Sequence, residues 1–296
     1  NNLYRYGSFE LGVNSGSVRE AYGTKPDLCV YAGLRAEKYL ANQQPEKDWQ
    51  MIEQAKENIR MIKPQKLVLI STIDVFKSPL AVYEDSAIDM DGLQPYGYNR
   101  RVLENWVREN YPEALIVRLP GLFGEGIKKN FIYDIINVIP FMLSETKMGE
   151  LSSQEAAIEE YYEIQDNGFW KCRNLNEGEK NALRNILSRV NFSALQFTDS
   201  RSEFQFYPLK RLWSDIKIAL ENKIELLHTA TEPISAGEIY KFLYGREFMN
   251  ETAGVPAKYD YRTRYSGLYK RDGGYIMGKE EVLLEIQNFV KSTKIC

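Results

Sequence analysis

The stretch KLVLISTIDVF, residues 66–76, is the most informative about the fold. Its apolar run ends at the hydroxyl residues Ser71 and Thr72, and Asp74 follows shortly after. A short run that is apolar on both faces is typical of a strand buried in a parallel sheet. Such strands are predicted at 27–33 (DLCVYAG), 66–72 (KLVLIST), 114–120 (ALIVRLP) and 224–230 (IELLHTA). A helix is predicted to begin at Pro45, a favoured first-turn residue, between the first two strands. This strand–helix–strand order predicts an α/β fold with a doubly wound parallel sheet.

The rest of the chain divides into three predicted parts. Amphipathic helices are predicted over 96–110, 154–162, 177–190 and 280–291. Between residues 143 and 205 no convincing strand pattern separates the helical ones, so we predict a smaller, mostly helical substrate lobe there. The predicted parts are a cofactor domain over 1–142, the lobe over 143–205, and a return to the core with substrate-side elements over 206–296.

Composition and charge exclude several functions. The 296 residues carry 38 Lys and Arg against 41 Asp and Glu, a net charge of -3, so no positive field is available to hold a nucleic acid. The most apolar stretch, residues 131–143, is shorter than the roughly 20 residues that cross a bilayer, and no membrane partner is predicted. A single histidine argues against a Ser/His/Asp triad and a His-ligated zinc. Cys29, Cys172 and Cys296 are too widely spaced for a metal cluster or a disulfide framework, and they fit a reducing, cytoplasmic location.

A hydroxyl, a phenol and a cation are predicted to converge at one edge of the sheet. Thr72 ends the second strand, and Tyr96 and Arg100 lie one helical turn apart at the start of the helix over 96–110. Open α/β sheets bind their ligands at the carboxyl ends of the strands. Because a neighbouring cation favours the phenolate, Tyr96 is predicted to act as a general base.

Four motifs, taken in order, resemble the extended short-chain dehydrogenases/reductases, specifically the NAD-dependent epimerase/dehydratase family that acts on nucleotide sugars. The motifs are STxDVF at 71–76, PYGxxR at 95–100, RLPGLFG at 118–124 and TEPIS at 231–235. The resemblance implies a Rossmann-like fold, catalysis by Thr72, Tyr96 and Arg100, and NAD or NADP as the cofactor. It also implies a nucleotide-sugar substrate and a homodimer.

Other residues are assigned to the cofactor and the substrate by the same resemblance. The cofactor is expected to contact Ala32, Gly33, Ser71, Pro120 and Gly121. The substrate is expected to contact Asp74, Asn130, Arg201 and Arg211. Asn130 is placed in this set because it follows two lysines at a predicted helix start, where a phosphate is favoured.

The chain also departs from the family pattern. Arg100 replaces the family's lysine, and its planar fork is not equivalent to an ammonium. Ile73 stands where the 4,6-dehydratases carry an aspartate. No glycine fingerprint for a pyrophosphate precedes Asp27, so we expect that roughly 25 to 30 residues of the first strand–helix unit are missing from this sequence. Leu3–Tyr6 would then be the remainder of a second strand.

The sequence therefore predicts an NAD(P)-dependent oxidoreductase-type enzyme that acts on a nucleotide sugar, as an epimerase or a keto-sugar reductase. One alternative is a non-catalytic nucleotide-sugar-binding protein of the same fold that has lost cofactor binding. Another is a structural dimerisation module, which leaves the Thr72, Tyr96 and Arg100 arrangement unexplained. With 20 tyrosines in the chain, Tyr96 could also be paired with Arg100 by chance. His228 is predicted to be structural.

Overall fold

The computed structural model describes residues 2–294, which fall into two compact units. The first unit runs through Glu125 and resumes at Glu203–Ile234 and Lys258–Leu283. The second unit comprises Gly126–Ser202, Ser235–Ala257 and the chain from Leu284 onward. The predicted domain boundaries at 142/143 and 205/206 stay a prediction.

A parallel sheet of four strands lies at the centre of the first unit. The strands are β1 (Leu28–Tyr31), β2 (Lys66–Thr72), β3 (Leu115–Leu119) and β4 (Leu226–His228), and they are neighbours in that order. Each predicted apolar run contains one of them, so the four strands and the α/β class are confirmed. The register places Thr72 beside Leu119, and both residues end their strands at the same edge.

Two long helices cover the sheet with apolar side chains. Helix α1 (Pro45–Ile62) and helix α2 (Pro95–Asn110) each begin with a proline, which suits the first turn because its missing N–H needs no partner there. Ile52 and Ile59 of α1 and Leu103 of α2 are fully buried in one core with sheet residues. The helix predicted from Pro45 is confirmed, as is the helix over 96–110.

The first unit contains several shorter elements. Its other helices are Asn2–Tyr6, Lys38–Gln43 and Leu212–Glu221, with 3-10 turns at Val18–Ala21, Ile73–Val75, Leu209–Arg211 and Ser266–Tyr269. Its other strands are Gly121–Phe123, Glu203–Phe204 and Phe206–Pro208, and a further strand at Ile234–Ser235 ends this part of the chain. The expected strand at Leu3–Tyr6 is wrong, because these residues are helical. Four residues are too few for an apolar pattern to distinguish a strand from a helix.

The second unit combines helices with a small antiparallel sheet. Its helices are Asn130–Ile136, Glu145–Ser152, Glu177–Arg189 and Ala236–Tyr244, with 3-10 turns at Ala156–Tyr161 and Ala194–Phe197. The strands Met142–Leu143, Trp170–Cys172 and Tyr162–Ile164 form its sheet in that order. The chain's last described helix is Lys279–Lys294.

Two predictions for this region need correction. The helix predicted over 154–162 is a 3-10 turn, and strands are present where none was predicted. Three-residue strands give too short an alternation to be recognised. The turn sequence Asp166-Asn167-Gly168, with Gly168 at a φ of +77°, is the local signal that marks this hairpin.

The structure contains no evident metal or disulfide centre among the residues it describes. Cys29 and Cys172 are half-buried free thiols, and Cys296 lies outside the described residues. Burial raises the pKa of the Cys29 thiol to about 11. Between residues 2 and 294, no group of three His, Cys, Asp or Glu side chains could hold a metal ion, and no helix is long and apolar enough to cross a membrane.

Candidate active site at the end of a parallel strand

Thr72 lies at the carboxyl end of β2, and the turn Ile73–Val75 follows it directly. The Thr72 hydroxyl oxygen accepts a hydrogen bond from the backbone N–H of Asp74, with 3.2 Å between the heavy atoms. This bond caps the turn and fixes the hydroxyl at the sheet edge where open α/β folds bind their ligands.

Tyr96 lies in the first turn of α2, and its phenol is close enough to the side chain of Thr72 for the threonine to lower the pKa of the phenol. The close approach depends on the glycine that follows. A Cβ added at Gly97 would lie 2.0 Å from the carbonyl oxygen of Asp74, a distance no real contact permits. Gly97 therefore allows α2 to pack against the end of β2, which brings Tyr96 and Thr72 together.

Arg100 lies against the face of the Tyr96 ring, with 3.9 Å between its Cζ atom and the ring centroid. Its guanidinium donates hydrogen bonds to the carboxylate of Asp48 and to the carbonyl oxygens of Tyr96 at 3.3 Å and Arg35 at 2.8 Å. The Arg100 and Asp48 side chains are only 3% and 1% exposed. Arg100 is thus committed to a buried ion pair, and three of its N–H donors are used by protein partners.

Asp48 is a site residue that the sequence motifs did not indicate. Its Oδ2 atom accepts a second hydrogen bond from the amide of Asn99 at 2.8 Å, whereas its Oδ1 atom has no hydrogen bond among the described residues. An acidic residue near a helix start is ordinarily a favourable partner of the helix dipole. The spacing of Asp48 could have indicated its burial. It lies one helical turn before Ile52, on the buried face of α1 that also includes Ile59.

Burial dominates the ionisation of Tyr96. It raises the pKa of the phenol, and the neighbouring Asp74 carboxylate raises it further. The Arg100 charge, the Thr72 hydrogen bond and the Lys38 charge each lower this pKa, but the net shift is upward. Arg100 therefore lowers the pKa of Tyr96, as predicted, but the increase caused by desolvation is larger.

Lys38 and Tyr259 form a second polar group next to this pair, and neither was indicated by the motifs. Lys38 Nζ lies 2.7 Å from Asp74 Oδ1 and 3.5 Å from the Tyr259 hydroxyl. The Tyr259 hydroxyl also lies 3.3 Å from Asp74 Oδ1. Asp74, which the sequence assigned to the substrate, is thus ion-paired with Lys38. The available signal was the position of Lys38 shortly after the carboxyl end of β1.

Comparison with known proteins places this arrangement in a known fold. No protein-family model matches the chain, and no curated protein matches it. UDP-glucuronic acid 4-epimerase from Bacillus cereus, solved with NAD, matches with a TM-score of 0.54 and 15% identity over 94% of this chain and 78% of that one. dTDP-4-dehydrorhamnose reductase from Yersinia enterocolitica matches with a TM-score of 0.56 and 15% identity over 94% of this chain and 85% of that one. The chain has the extended short-chain dehydrogenase/reductase fold.

A third structure with this fold, RMD from Pseudomonas aeruginosa, was solved with NADPH. It matches with a TM-score of 0.56 and 13% identity over 97% of this chain and 89% of that one. The fold implied by the four sequence motifs is therefore confirmed.

Small residues follow two of the strands at the carboxyl edge of the sheet. Ala32 and Gly33 follow β1 and are exposed, while Pro120 and the exposed Gly121 follow β3. Their assignment to the cofactor stays a prediction. Among residues 2–294, no strand is followed by a G-x-x-G-x-x-G loop to hold the pyrophosphate.

Ser71, the other residue assigned to the cofactor, is engaged elsewhere. Its hydroxyl donates to the buried carboxylate of Glu104 at 2.6 Å. Glu104 also accepts two hydrogen bonds from Arg118, at 3.0 and 2.6 Å, and Arg118 lies 3.2 Å from His228 Nε2. Ser71 and Thr72 point to opposite faces of β2 because successive strand side chains alternate. Ser71 therefore joins a polar network in the core.

His228 is part of the same network and is fully buried. Burial lowers the pKa of its imidazole to about 3, and the adjacent Arg118 charge contributes to this shift. Its Nδ1 atom lies 2.8 Å from the carbonyl oxygen of Arg262. His228 is therefore neutral at pH 7, which agrees with the structural role predicted for it.

The remaining residues assigned to the substrate are bonded to their own neighbours. Asn130 and Arg201 belong to the second unit, and Arg211 belongs to the first. The Asn130 side chain accepts from the backbone N–H of Ile132 at 3.1 Å. The two arginines form ion pairs with Asp199 and Glu251 for Arg201, and with Asp215 and Glu281 for Arg211. A role in phosphate binding stays a prediction for all three.

Proposed function

We propose that this protein is an NAD(P)-dependent oxidoreductase-type enzyme that acts on a nucleotide sugar, as an epimerase or a keto-sugar reductase. The observation that carries the proposal is the position of Tyr96 beside Thr72 at the carboxyl end of β2. Solved proteins of the same fold include a nucleotide-sugar epimerase and a nucleotide-sugar reductase.

Tyr96 is the proton-transferring residue in this proposal. In the oxidising direction its phenolate oxygen takes the proton of a sugar hydroxyl, while the carbon loses a hydride and the C–O bond becomes a carbonyl. In the reducing direction the phenol returns the proton to the carbonyl oxygen. A bound nicotinamide supplies the hydride acceptor or donor. The Thr72 hydroxyl orients the sugar oxygen by sharing its hydrogen bond with Tyr96.

The raised pKa of Tyr96 bears on the direction of reaction. A protonated phenol is ready to donate to a keto-sugar without any change of state, which supports reduction. Epimerisation begins with oxidation and requires a phenolate, which only a nearby cation stabilises at neutral pH. The charged side chains able to do so are Arg100 on the ring face and Lys38 beside Asp74.

Three further assignments accompany the proposal. Ala32, Gly33, Pro120 and Gly121 contact the nicotinamide half of NAD or NADP, since they follow β1 and β3 at the carboxyl edge of the sheet. The protein acts in the cytoplasm, since its cysteines suit a reducing compartment. It assembles as a homodimer through the helix that bears Tyr96, which also carries the half-buried Trp106.

Substitution of Tyr96 tests the proposal. Purified protein is assayed by the absorbance change of the reduced nicotinamide, with NAD and NADP, against a panel of nucleotide sugars and keto-sugars. Tyr96→Phe is expected to lower turnover by about 10²–10⁴-fold, the usual contribution of a general acid–base group. Tyr98→Phe is the matched control, because Tyr98 lies on the same helix and is exposed.

The same assay separates the alternative function. Equal turnover in the wild type and Tyr96→Phe removes Tyr96 from catalysis. Calorimetric binding of a nucleotide sugar without nicotinamide binding or turnover contradicts the enzyme proposal and supports a non-catalytic binding protein.

A further inference from the structure

The hairpin turn of the second unit contains an asparagine that is followed directly by a glycine. Asn167 and Gly168 lie between the paired strands Tyr162–Ile164 and Trp170–Cys172, and they are the only Asn–Gly pair in the 296 residues. The backbone nitrogen after an asparagine can attack the side-chain amide, and glycine favours this attack because it has no Cβ to hinder the nitrogen. The turn therefore brings together the two groups that react when an asparagine loses its amide.

We propose that Asn167 is a site of spontaneous deamidation, at which the side-chain amide is converted to a carboxylate. In the first step, the Gly168 backbone nitrogen forms a bond to the Asn167 Cγ atom, and the bond from Cγ to the amide nitrogen breaks. The amide nitrogen leaves as ammonia and takes the proton of the Gly168 N–H. Water then opens the five-membered succinimide ring at either carbonyl carbon, which gives aspartate or isoaspartate.

The Asn167 carboxamide is folded back toward the Gly168 nitrogen. Its Oδ1 atom accepts a hydrogen bond from the backbone N–H of Phe169, with 3.1 Å between the heavy atoms. An asparagine oxygen that bonds the amide two residues ahead closes a local turn, which holds the side-chain carbonyl beside the intervening backbone nitrogen. The same bond stabilises the negative charge that develops on this oxygen during the attack, as the donors of an oxyanion hole do.

The turn is open to water and is held by few buried contacts. Gly168 is exposed, and only Tyr162 of the strand Tyr162–Ile164 is buried. The Gly168 N–H donates to the Gln165 carbonyl at 2.9 Å, and this bond must break before the nitrogen attacks. Segments with few buried contacts open locally much more often than core strands do. Local opening therefore frees the Gly168 nitrogen while the rest of the second unit stays folded.

The isoaspartate product changes the path of the hairpin. Its backbone passes through the former side-chain carbonyl, which adds a carbon atom between the residue and Gly168. Two bonds that close the turn depend on the original spacing, from the Gly168 N–H to Gln165 and from the Gln165 N–H to the Phe169 carbonyl at 2.7 Å. Trp170 comes next in the chain and packs against the buried cluster of the second unit. Isoaspartate is therefore expected to loosen the hairpin, whereas aspartate keeps an oxygen that can accept from Phe169.

The test compares two asparagines of the same folded protein by mass spectrometry. Asn174 is the internal control, because it is exposed in the loop that follows the hairpin and precedes a leucine. Trypsin cleaves after Lys147, Lys171 and Arg173, so the two asparagines fall in separate peptides. After incubation at mildly alkaline pH, Asn167 is expected to be converted in several-fold higher yield than Asn174, at a rate that rises in proportion to hydroxide concentration. A methyltransferase specific for isoaspartate is expected to label the peptide that contains residue 167.

Asn167→Gln and Asn167→Ser are the matched variants, because glutamine closes its larger ring slowly and serine has no amide to lose. Both are expected to prevent the labelling. An Asn167 amide that is retained as completely as that of Asn174 in the folded wild type overturns the proposal. Deamidation that appears only after unfolding in urea also overturns it, because the folded turn then protects the residue. Each outcome is read from the peptides without turnover, so it is independent of the proposed function.

Discussion

Asp48 and Arg100 form an ion pair in which both side chains are almost completely buried, and this pair joins helix α1 to helix α2 against the ring of Tyr96. Two opposite charges inside a protein stabilise each other only while both are present, because each has lost its hydration. The pair thus makes the position of Tyr96 depend on a residue that lies near the start of a different helix.

Asp48→Ala is expected to destabilise the fold strongly, since it leaves the Arg100 guanidinium buried without its counter-ion. Loss of one partner of a buried pair costs about 3–5 kcal/mol in the free energy of unfolding. Urea denaturation followed by circular dichroism measures the change. Asp89→Ala removes an exposed aspartate from its ion pair with Lys77 and is expected to cost far less, because water already screens an exposed pair. Equal losses in the two variants would contradict the role assigned to the buried pair.

Gly97→Ala is expected to separate Tyr96 from Thr72. The added methyl group would overlap the carbonyl oxygen of Asp74, so α2 must move away from the end of β2. Overpacking of this kind costs about 1–3 kcal/mol in the free energy of unfolding. Gly149→Ala is the matched control, because Gly149 is helical and a Cβ there meets nothing within 4 Å. The control is expected to be neutral or stabilising, and an equally neutral Gly97→Ala would show that the close approach is unnecessary.

His228 is expected to make stability fall as the solution becomes acidic. Its pKa is about 3 in the folded chain, against 6.5 for an ordinary histidine, so the unfolded chain binds the extra proton between these pH values. The stability that the neutral imidazole contributes is full above pH 6.5 and is lost progressively below it. Between pH 7.5 and pH 5 the free energy of unfolding should fall by about 2 kcal/mol from this residue alone.

Urea denaturation of the wild type and His228→Gln over this pH range isolates the effect. The glutamine variant takes up no proton at this position, and all other titrating groups are shared by the two proteins. The stability difference between them should therefore shrink as the pH falls. A difference that stays constant from pH 7.5 to pH 5 would show that His228 titrates normally in the folded chain.

The sequence predicts the central sheet well because the signal there is local and repeated. Each strand is an apolar run on both faces, which few other structures require. The meeting of Thr72 with Tyr96 was also predictable, since the carboxyl ends of parallel strands share one edge and Tyr96 begins the following helix.

The environment of Tyr96 was not predictable, because it depends on contacts between distant residues. Arg100 lies one turn from Tyr96 in sequence, yet its partner Asp48 belongs to another helix. Lys38 reaches Asp74 only through the path that the chain takes after β1. The largest influence on the pKa of Tyr96 is desolvation, which depends on all the residues packed around the phenol. A sequence motif that supplies one nearby cation therefore does not determine this pKa.

Ser71 and Thr72 are adjacent in β2, yet the Ser71 hydroxyl donates to the Glu104 carboxylate inside the core, whereas the Thr72 hydroxyl accepts from the Asp74 backbone at the sheet edge, beside Tyr96. A shift of this strand by a single position along its neighbours would exchange their faces and withdraw a hydrogen bond from an interior acid. The hydrogen bond from Ser71 to Glu104 thereby fixes the register of β2 in the sheet. It also fixes how far the Thr72 hydroxyl lies beyond the strand end.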